Sequence, residues 1–320
     1  MKRTITFINV GYGEAMLLRD PEADVNILID GGSGEAAEYE GASSGRIRAC
    51  EYLERAGIDH LDLAVATHIH EDHLCGLVPV LECLKPREFW HTLPEDFAEE
   101  AMRRIDPALA QNPSQDKFIH ALNDYVRLCA LLKASGCRMR SVCAGDTAQF
   151  GDALSLTVLS PDEGRCGQLA QALREVYSAD GEAELLARLS KIDAAMNNFS
   201  LILSASFGGA RLLLPGDTNR DGYGGLPAEA LRADLFKVGH HGQKDGAGET
   251  LIQMVRPRAV VCCASSDRRY NSADPALIAM IEAHGARMYY SDCPDGRAPK
   301  HSALVFGIGP GGELEGRYEE

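Results

Sequence analysis

The chain has 320 residues, of which 45% are hydrophobic and 25% are charged, an ordinary composition for a globular protein. Its formal net charge of −15 argues against tight, non-specific binding of duplex nucleic acid, because an acidic surface repels the phosphate backbone. The ten cysteines include no C-x-x-C pair, and the sequence contains neither a signal-peptide-like start nor a run of about twenty apolar residues. We therefore expect a cytoplasmic protein with reduced thiols and no membrane span.

Short strands are predicted to dominate the first third of the chain. A glycine-rich turn, Val10-Gly11-Tyr12-Gly13, separates the first two of them, and Gly57 is a normal stop for the first helix. From apolar periodicity, strands are expected at 4–9, 14–19, 25–30 and 61–66, and helices at 46–56 and 74–84.

The middle of the chain is predicted to carry two helical inserts on a β framework, near 94–136 and 163–196. The sequence leaves open whether these inserts cover a site, make a subunit contact or only pack on the surface. Strand-like hairpins are expected to return at 138–142 and 154–159.

The second half repeats the strand-helix theme, and no linker divides it from the first. We therefore expect residues 1–320 to form a single domain with two sheets packed face to face and helices outside. The strands are predicted at 199–207, 210–214, 235–238, 259–264, 288–291 and 302–308, and the helices at 227–232, 248–255 and 274–284.

The densest group of potential metal ligands directly follows the strand predicted at 61–66. His68, His70, Asp72 and His73 lie within six residues, and imidazole and carboxylate are the usual ligands of zinc and related metals. Residues two apart on an extended backbone point the same way, so His68 and His70 can hold one ion together. Asp72 and His73, in the following turn, can face a second ion, which gives the arrangement of a two-metal hydrolytic site.

Three later positions are candidates to complete this site. Asp217 follows Gly216 at the end of an apolar strand and can bridge both ions. His240 and His241 are adjacent at another strand end, where alternation points their rings to opposite sides, so one of the two is expected to bind metal. Asp30 ends a buried strand, where a carboxylate can accept a hydrogen bond from a ligand histidine and fix its tautomer.

Together these segments resemble the metallo-β-lactamase superfamily, whose signature H-x-H-x-D-H is present in full at 68–73. The resemblance implies an α+β fold, a four-layer αββα sandwich with helical inserts and a metal site at one edge of the sheets. It matches Asp30 to the family's acidic strand end, Asp217 to its bridging acid, and His240 or His241 to its last histidine.

A narrower resemblance is to the hydrolase domain of ComEC-type DNA-uptake proteins and their stand-alone relatives. The segment at 9–15, N-V-G-Y-G-E-A, is similar to the D-V-G-Q-G-D-A opening of that branch, and the segments around Asp217 and His241 continue its pattern. Asn197 and Asn198 stand where many superfamily members have a third histidine, as in the ComEC-like branch. This sequence lacks the membrane channel of the uptake proteins, so we expect a free hydrolase.

The resemblance implies a metal-dependent hydrolase that uses a dinuclear site and a metal-bound hydroxide. Two divalent ions are expected, zinc in the first place, although manganese or iron also suits these ligands. The expected metal ligands are His68, His70, Asp72, His73, Asp217 and His241; the expected catalytic residues are Asp72, Asp217 and His240; and the expected supporting residues are Asp30 and Asn198.

The expected reaction is phosphodiester hydrolysis on a small-molecule or single-stranded phosphoester, and an oligomer is possible in principle. The same site also supports a lactone or thioester hydrolase, and a further alternative is a non-catalytic metal-binding interaction module. A phosphodiesterase should expose cationic or amide donors near the metals, such as Lys237, Lys244 or Arg269. An acyl hydrolase should have a narrower, apolar pocket.

Overall fold

Two β-sheets packed face to face form the centre of the structure, a computed structural model that describes residues 2–41 and 43–320. One apolar core lies between the sheets, and two further cores lie between each sheet and the helices that cover its outer face. The predicted α+β, four-layer αββα sandwich is therefore confirmed.

The strands divide into a sheet of eight and a sheet of seven. In chain order they are β1 (Arg3–Ile8), β2 (Met16–Asp20), β3 (Val25–Ile29), β4 (Leu63–Val65), β5 (Glu88–His91), β6 (Arg138–Ser141), β7 (Thr147–Phe150), β8 (Leu154–Ser160), β9 (Ile202–Phe207), β10 (Ala210–Leu214), β11 (Leu235–Lys237), β12 (Ala259–Cys262), β13 (Arg287–Tyr290), β14 (Ala303–Ile308) and β15 (Leu314–Glu319). The first sheet has the order β15-β14-β1-β2-β3-β4-β5-β6, and the second β13-β12-β11-β10-β9-β8-β7.

Helices between residues 49 and 193 contribute apolar side chains to the core on the first sheet, and those between residues 228 and 283 to the core on the second sheet. They are α1 (Ala49–Arg55), α2 (Leu77–Cys83), α3 (Phe97–Ala101), α4 (Pro113–Ser135), α5 (Glu163–Tyr177), α6 (Glu182–Asp193), α7 (Ala228–Leu231), α8 (Glu249–Val255) and α9 (Pro275–Ala283). Among the described residues, no helix is long and apolar enough to cross a membrane.

The strand pairing differs from the sequence prediction at the edges of the sheets. The segment predicted as a hairpin strand at 138–142 is β6, the parallel edge of the first sheet, whereas β8 lies in the second sheet between β7 and β9. Strands β5, β7 and β15 were not predicted. The last two are edge strands whose residues are mostly exposed or half-buried, so their sequences lack an apolar pattern, whereas β5 is a short buried strand inside the first sheet.

Parallel pairing brings the candidate site residues to one rim of the sandwich. In the first sheet β3 and β4 run parallel, so Asp30 and the loop after Val65 leave from neighbouring carboxyl ends. In the second sheet β10 and β11 run parallel, so Asp217 and His241 follow neighbouring carboxyl ends. Carboxyl ends of adjacent parallel strands are a common position for ligand sites in α/β sheets.

Candidate metal centre

The loop after β4 carries the H-x-H-x-D-H residues and is fixed through its backbone. Asp72 and His73 lie in a π-helical turn, a conformation that is frequent at functional sites. The Asp72 carbonyl accepts a hydrogen bond from the Glu14 amide (3.1 Å), and the His73 carbonyl accepts one from the Gly31 amide (2.7 Å). A Cβ at Gly13 would lie 2.4 Å from the Asp72 carbonyl oxygen, so the glycine-rich opening turn is required for this close approach.

Four candidate ligands from both sheets meet in one buried cluster, which we call the ligand cluster: Asp72, His73, Asp217 and His241. The His241 Nε2 atom lies 2.8 Å from Asp217 Oδ2 and 3.0 Å from Asp72 Oδ2. The His73 Nε2 atom lies 3.3 Å from Asp217 Oδ2 and 3.3 Å from His241 Nε2. These side chains are separated by up to 169 positions in the chain, and the two sheets bring them together.

His68 and His70 form a second group beside the ligand cluster, which we call the histidine pair. Their Nε2 and Nδ1 atoms, respectively, lie 3.1 Å apart. The rings of His68 and His73 have centroids 4.3 Å apart, so the pair and the cluster are immediate neighbours. The structure thus brings together all six predicted metal ligands, and their role as ligands stays a prediction.

In three of the four histidines, His68, His73 and His241, the ring nitrogen on the far side is hydrogen-bonded to an oxygen atom; in His70 that nitrogen lies close to a carboxylate oxygen without forming a hydrogen bond. Because a carbonyl or carboxylate oxygen only accepts, that nitrogen carries the proton, and its partner nitrogen presents a lone pair. The contacts are His68 Nδ1 with Thr67 Oγ1 (3.1 Å), His70 Nε2 with Asp193 Oδ1 (3.2 Å), His73 Nδ1 with Asp30 Oδ2 (2.8 Å) and His241 Nδ1 with the Cys263 carbonyl (2.7 Å). Thr67 is itself fixed as an acceptor, since its hydroxyl donates to Asp30 (2.6 Å).

The facing lone pairs make both groups sites for cations. Two imidazole lone pairs at 3.1–3.3 Å, with carboxylate oxygens beside one of the pairs, repel each other unless a positive charge lies between them. Buried imidazole and carboxylate groups with hydrogen-bonded far sides are the donor set of a divalent metal centre. The residues present therefore fit the metal ions that the sequence predicts.

The titration behaviour of the cluster shows the same preference for positive charge. Burial opposes a charged imidazole at His241, but the carboxylates of Asp217 and Asp72 outweigh it and raise the pKa of His241 to about 9. Burial likewise opposes a charged carboxylate at Asp217, but His241, His73 and Lys237 hold the pKa of Asp217 well below its usual range. The cluster thus favours a positive charge at this position, which in the metal-free protein is a proton on the imidazole of His241.

The structure distinguishes the two adjacent histidines after β11. His241 enters the ligand cluster, whereas His240 lies outside it, with its Nδ1 atom 2.8 Å from Asp245 Oδ1 and its Nε2 atom 3.1 Å from the Gln243 amide nitrogen. The rings separate because both residues adopt left-handed backbone conformations, with φ of 47° and 49°. The expected divergence of the two rings is present, but it arises from a left-handed turn rather than from strand alternation.

A buried ion-pair group supports the ligand cluster from below. Lys237 is fully buried, and its Nζ atom contacts the carboxylate of Glu14, Asp217 Oδ1 (3.1 Å) and the Gly216 carbonyl (2.8 Å). Lys237 therefore does not face the substrate side, and the expectation of an exposed donor at this position is wrong. Its charge instead balances carboxylates that would otherwise be buried with too few cations.

Replacing Lys237 by methionine is expected to destabilise the protein by about 3–5 kcal/mol, because the change leaves buried carboxylates without their partner. Urea unfolding in the presence of a chelator measures this loss without a contribution from bound metal. Glu14→Gln in the same chain should restore part of the stability. A loss below about 1 kcal/mol would show that the pair is dispensable.

Asp193, at the end of α6, is a site residue that the sequence analysis missed. One of its carboxylate oxygens lies 3.2 Å from His70 Nε2, and the other accepts a hydrogen bond from the Ser114 hydroxyl at 2.5 Å. Ser114 lies in the first turn of α4, within the first insert, and Asp193 ends the second insert. Both helical inserts therefore meet beside His70. A lone aspartate in a polar helix gives no sequence signal of such a role.

Replacing Asp193 by alanine is expected to weaken the binding of metal at the histidine pair by about 10- to 100-fold, the usual effect of removing the partner of a ligand histidine. The physical reason is that His70, without this carboxylate, can present either tautomer to the metal. Competition with a chromophoric chelator measures the metal affinity. The matched control is Asp180→Ala, an exposed carboxylate between the insert helices. Equal metal affinity in the two variants would contradict a positioning role.

Asn198, predicted as a supporting residue, does not line the cleft, and its backbone carbonyl accepts a hydrogen bond from Arg165. Asn197 lines the cleft above the ligands, and the side-chain oxygens of both asparagines are buried without a hydrogen-bond partner in the described structure. Nothing in these contacts tests the predicted role of Asn198.

A cleft of about 470 Å³ opens above the ligand cluster and the histidine pair, reaching His70, Asp72 and Asp217 at its floor. Among the predicted cationic donors, Lys244 is exposed outside it, and Arg269 is paired with Glu38 and Asp267. The walls of the cleft include side chains from both inserts and from the loops of the second sheet: Lys117, Asp193, Asn197, His240, Gln243 and Tyr270.

Comparison with known proteins identifies the class. Residues 8–138, which include the H-x-H-x-D-H segment, match the model of the metallo-beta-lactamase superfamily. This match confirms the predicted resemblance to the superfamily for the segment that carries the signature. Asp217 and His241 lie beyond the matched segment, and the fold brings them to it.

A curated relative supports the narrower resemblance. The chain is 24% identical over 299 residues to ComE operon protein 3 of Bacillus subtilis (strain 168), which covers 90% of this chain and 32% of that protein. The chain thus spans about a third of the length of this relative.

The chain is also similar to solved structures, at low identity. A metal-dependent hydrolase of the beta-lactamase superfamily has a TM-score of 0.45 and 13% identity, covering 90% of this chain and 95% of its own. Zn(2+)-bound PqqB from Methylobacterium extorquens has a TM-score of 0.42 and 12% identity, covering 87% and 85%.

Proposed function

We propose that this chain is a metal-dependent hydrolase with a dinuclear site that cleaves phosphoester bonds, with phosphodiesters as its first substrates. The observation that carries this proposal is the set of four histidines whose near ring nitrogens face one another beside Asp72 and Asp217, with the far nitrogens of three of them hydrogen-bonded. The ligand cluster and the histidine pair would each hold one divalent ion, zinc in the first place and manganese or iron as alternatives.

The metal ions supply Lewis-acid chemistry at this site, polarising a phosphoryl oxygen and making water more acidic. Asp72 is the ligand-cluster carboxylate that reaches the cleft, with about a sixth of its side chain exposed, so it can accept a hydrogen bond from the attacking water. His240 lies at the cleft wall with Nδ1 held by Asp245, so a proton exchanged with the leaving group would pass through Nε2, in place of its present contact with the Gln243 amide.

The cleft favours a phosphoester over a lactone or thioester. Lys117 supplies a cation, and the side-chain amide of Asn197 can donate a hydrogen bond to a phosphoryl oxygen. An acyl hydrolase would need a narrow apolar pocket, and this cleft is open and lined by several charged and amide side chains. The net charge of −15 favours a small or single-stranded phosphoester over duplex nucleic acid.

The test is an assay of the purified protein, loaded with zinc or manganese, on a phosphodiester reporter, single-stranded DNA and RNA, cyclic nucleotides and a lactone. The matched control carries both His70→Ala and Asp217→Ala. We expect turnover of a phosphodiester that the control lacks. Turnover of the lactone alone would reject the phosphodiesterase proposal, and equal turnover by the control would reject the site.

A further inference from the structure

Tyr270 stands out at the rim of the cleft. Its side chain is 57% exposed, and it is the one large apolar side chain with such exposure among the described residues. It lines the same cleft as His70, Asp72 and Asp217. An exposed aromatic ring beside a polar reaction centre is costly in water and indicates a surface for a ligand.

The ring of Tyr270 is held in place from behind. It packs against Tyr12 with ring centroids 5.2 Å apart, and Tyr12 in turn lies 4.4 Å from the ring of His241. The Arg269 guanidinium lies 5.9 Å from the Tyr12 ring and is anchored by Glu38, whose other oxygen accepts the Tyr12 amide at 2.8 Å. The three rings thus form a column that runs from the cleft rim to a candidate metal ligand.

The backbone around Tyr270 is constrained in an unusual way. Four non-glycine residues have φ between 54° and 56°, in the left-handed region that favours glycine: Arg268, Tyr270, Asn271 and Ala273. Such conformations persist where the surrounding structure over-determines them, and they cluster at ligand clamps and active sites. The loop therefore presents Tyr270 towards the cleft at a conformational cost that plain surface packing does not require.

We infer that Tyr270 is the stacking surface for a nucleobase, so that the cleft takes a nucleotide-like phosphoester with its phosphate at the metal centre. This inference rests on the proposed phosphoester function and names the group beside the phosphate. The exposed ring is available to a planar base, the side-chain amide of Asn197 can donate to a base edge, and Lys117 meets a further anionic group. The cleft, at about 470 Å³, falls in the size range of small-ligand sites and accommodates one nucleotide unit rather than a duplex.

The test compares two phosphates that differ by the base alone, adenosine 5′-monophosphate and ribose 5-phosphate, by calorimetry on the metal-loaded protein. Base stacking contributes about 1–3 kcal/mol, so the wild type should bind the nucleotide about 5- to 150-fold more tightly than the sugar phosphate. Tyr270→Ala should lose most of this ratio, and Tyr270→Phe, which keeps the ring, should retain it.

A ratio near one in the wild type, an unchanged ratio in Tyr270→Ala, or no binding of either phosphate would overturn the inference. The proposed function fails by a different result, which is the absence of phosphodiester turnover in the metal-loaded protein. A base-dependent ratio that Tyr270→Ala abolishes would support the stacking surface even if that turnover were absent.

Discussion

Replacing Asp217 by alanine is expected to remove one divalent ion per chain and to lower kcat for a phosphodiester by about a thousandfold. The carboxylate lies 2.8 Å from His241 Nε2 and 3.3 Å from His73 Nε2, so it supplies charge at the point where both lone pairs meet. A catalytic metal contributes several kcal/mol of transition-state stabilisation, which corresponds to this loss of rate. Metal analysis after gel filtration and steady-state kinetics measure the two effects.

The control for this change is Asp221→Ala, which removes an exposed carboxylate four residues further along the chain. It should leave metal content and kcat unchanged. Asp217→Asn, which keeps the shape and removes the charge, should resemble Asp217→Ala. Full metal content together with full activity in Asp217→Asn would contradict a role for this carboxylate at the metal centre.

The adjacent histidines are expected to differ sharply when each is replaced by alanine. His241→Ala should weaken metal binding by more than about 100-fold, because removing even the hydrogen-bond partner of a ligand costs 10- to 100-fold. His240→Ala should keep both ions and lose about 10²- to 10⁴-fold in kcat, the usual contribution of a group that transfers a proton. Calorimetric metal titration and single-turnover kinetics separate the two outcomes.

The two variants are each other's control, since both replace an imidazole in the same left-handed turn. Similar loss of metal in both would show that the turn, rather than one ring, supports the centre. Loss of metal in His240→Ala alone would reverse the assignment that the geometry supports. Thermal unfolding of both proteins checks that neither change disrupts the fold.

The part of the site that the sequence predicts is the part whose residues are neighbours in the chain. His68, His70, Asp72 and His73 could be grouped because six consecutive residues after one strand share one loop whatever the rest of the fold does. Asp193 could not be found, because its contact with His70 depends on how the second insert packs, and a lone helix-end aspartate has no distinctive pattern.

The Glu14–Lys237 ion pair and the choice between His240 and His241 were only partly predictable from the sequence. Glu14 and Lys237 both belong to motifs that resemble the ComEC-like branch, and opposite charges in apolar segments are typical of a buried pair. The sequence alone cannot decide which of His240 and His241 enters the cluster, because that depends on a left-handed turn that residue types do not specify.

The same distinction holds for the fold. Most central strands were predicted because burial on both faces gives them continuous apolar runs, as in Leu63–Val65, whereas the central strand Glu88–His91 was missed because only two of its four residues, Phe89 and Trp90, are apolar. The edge strands Thr147–Phe150 and Leu314–Glu319 were not predicted, since an edge exposed to water needs no such run.

The most direct measurement of the central claim is a crystal structure of the protein grown with zinc, with anomalous scattering recorded at the zinc edge and the metal content determined in solution. The account predicts two ions per chain, one in contact with Asp72, His73, Asp217 and His241 and the other in contact with His68 and His70. A protein that takes up no zinc, or zinc bound elsewhere while the four imidazoles keep their present contacts, would contradict it.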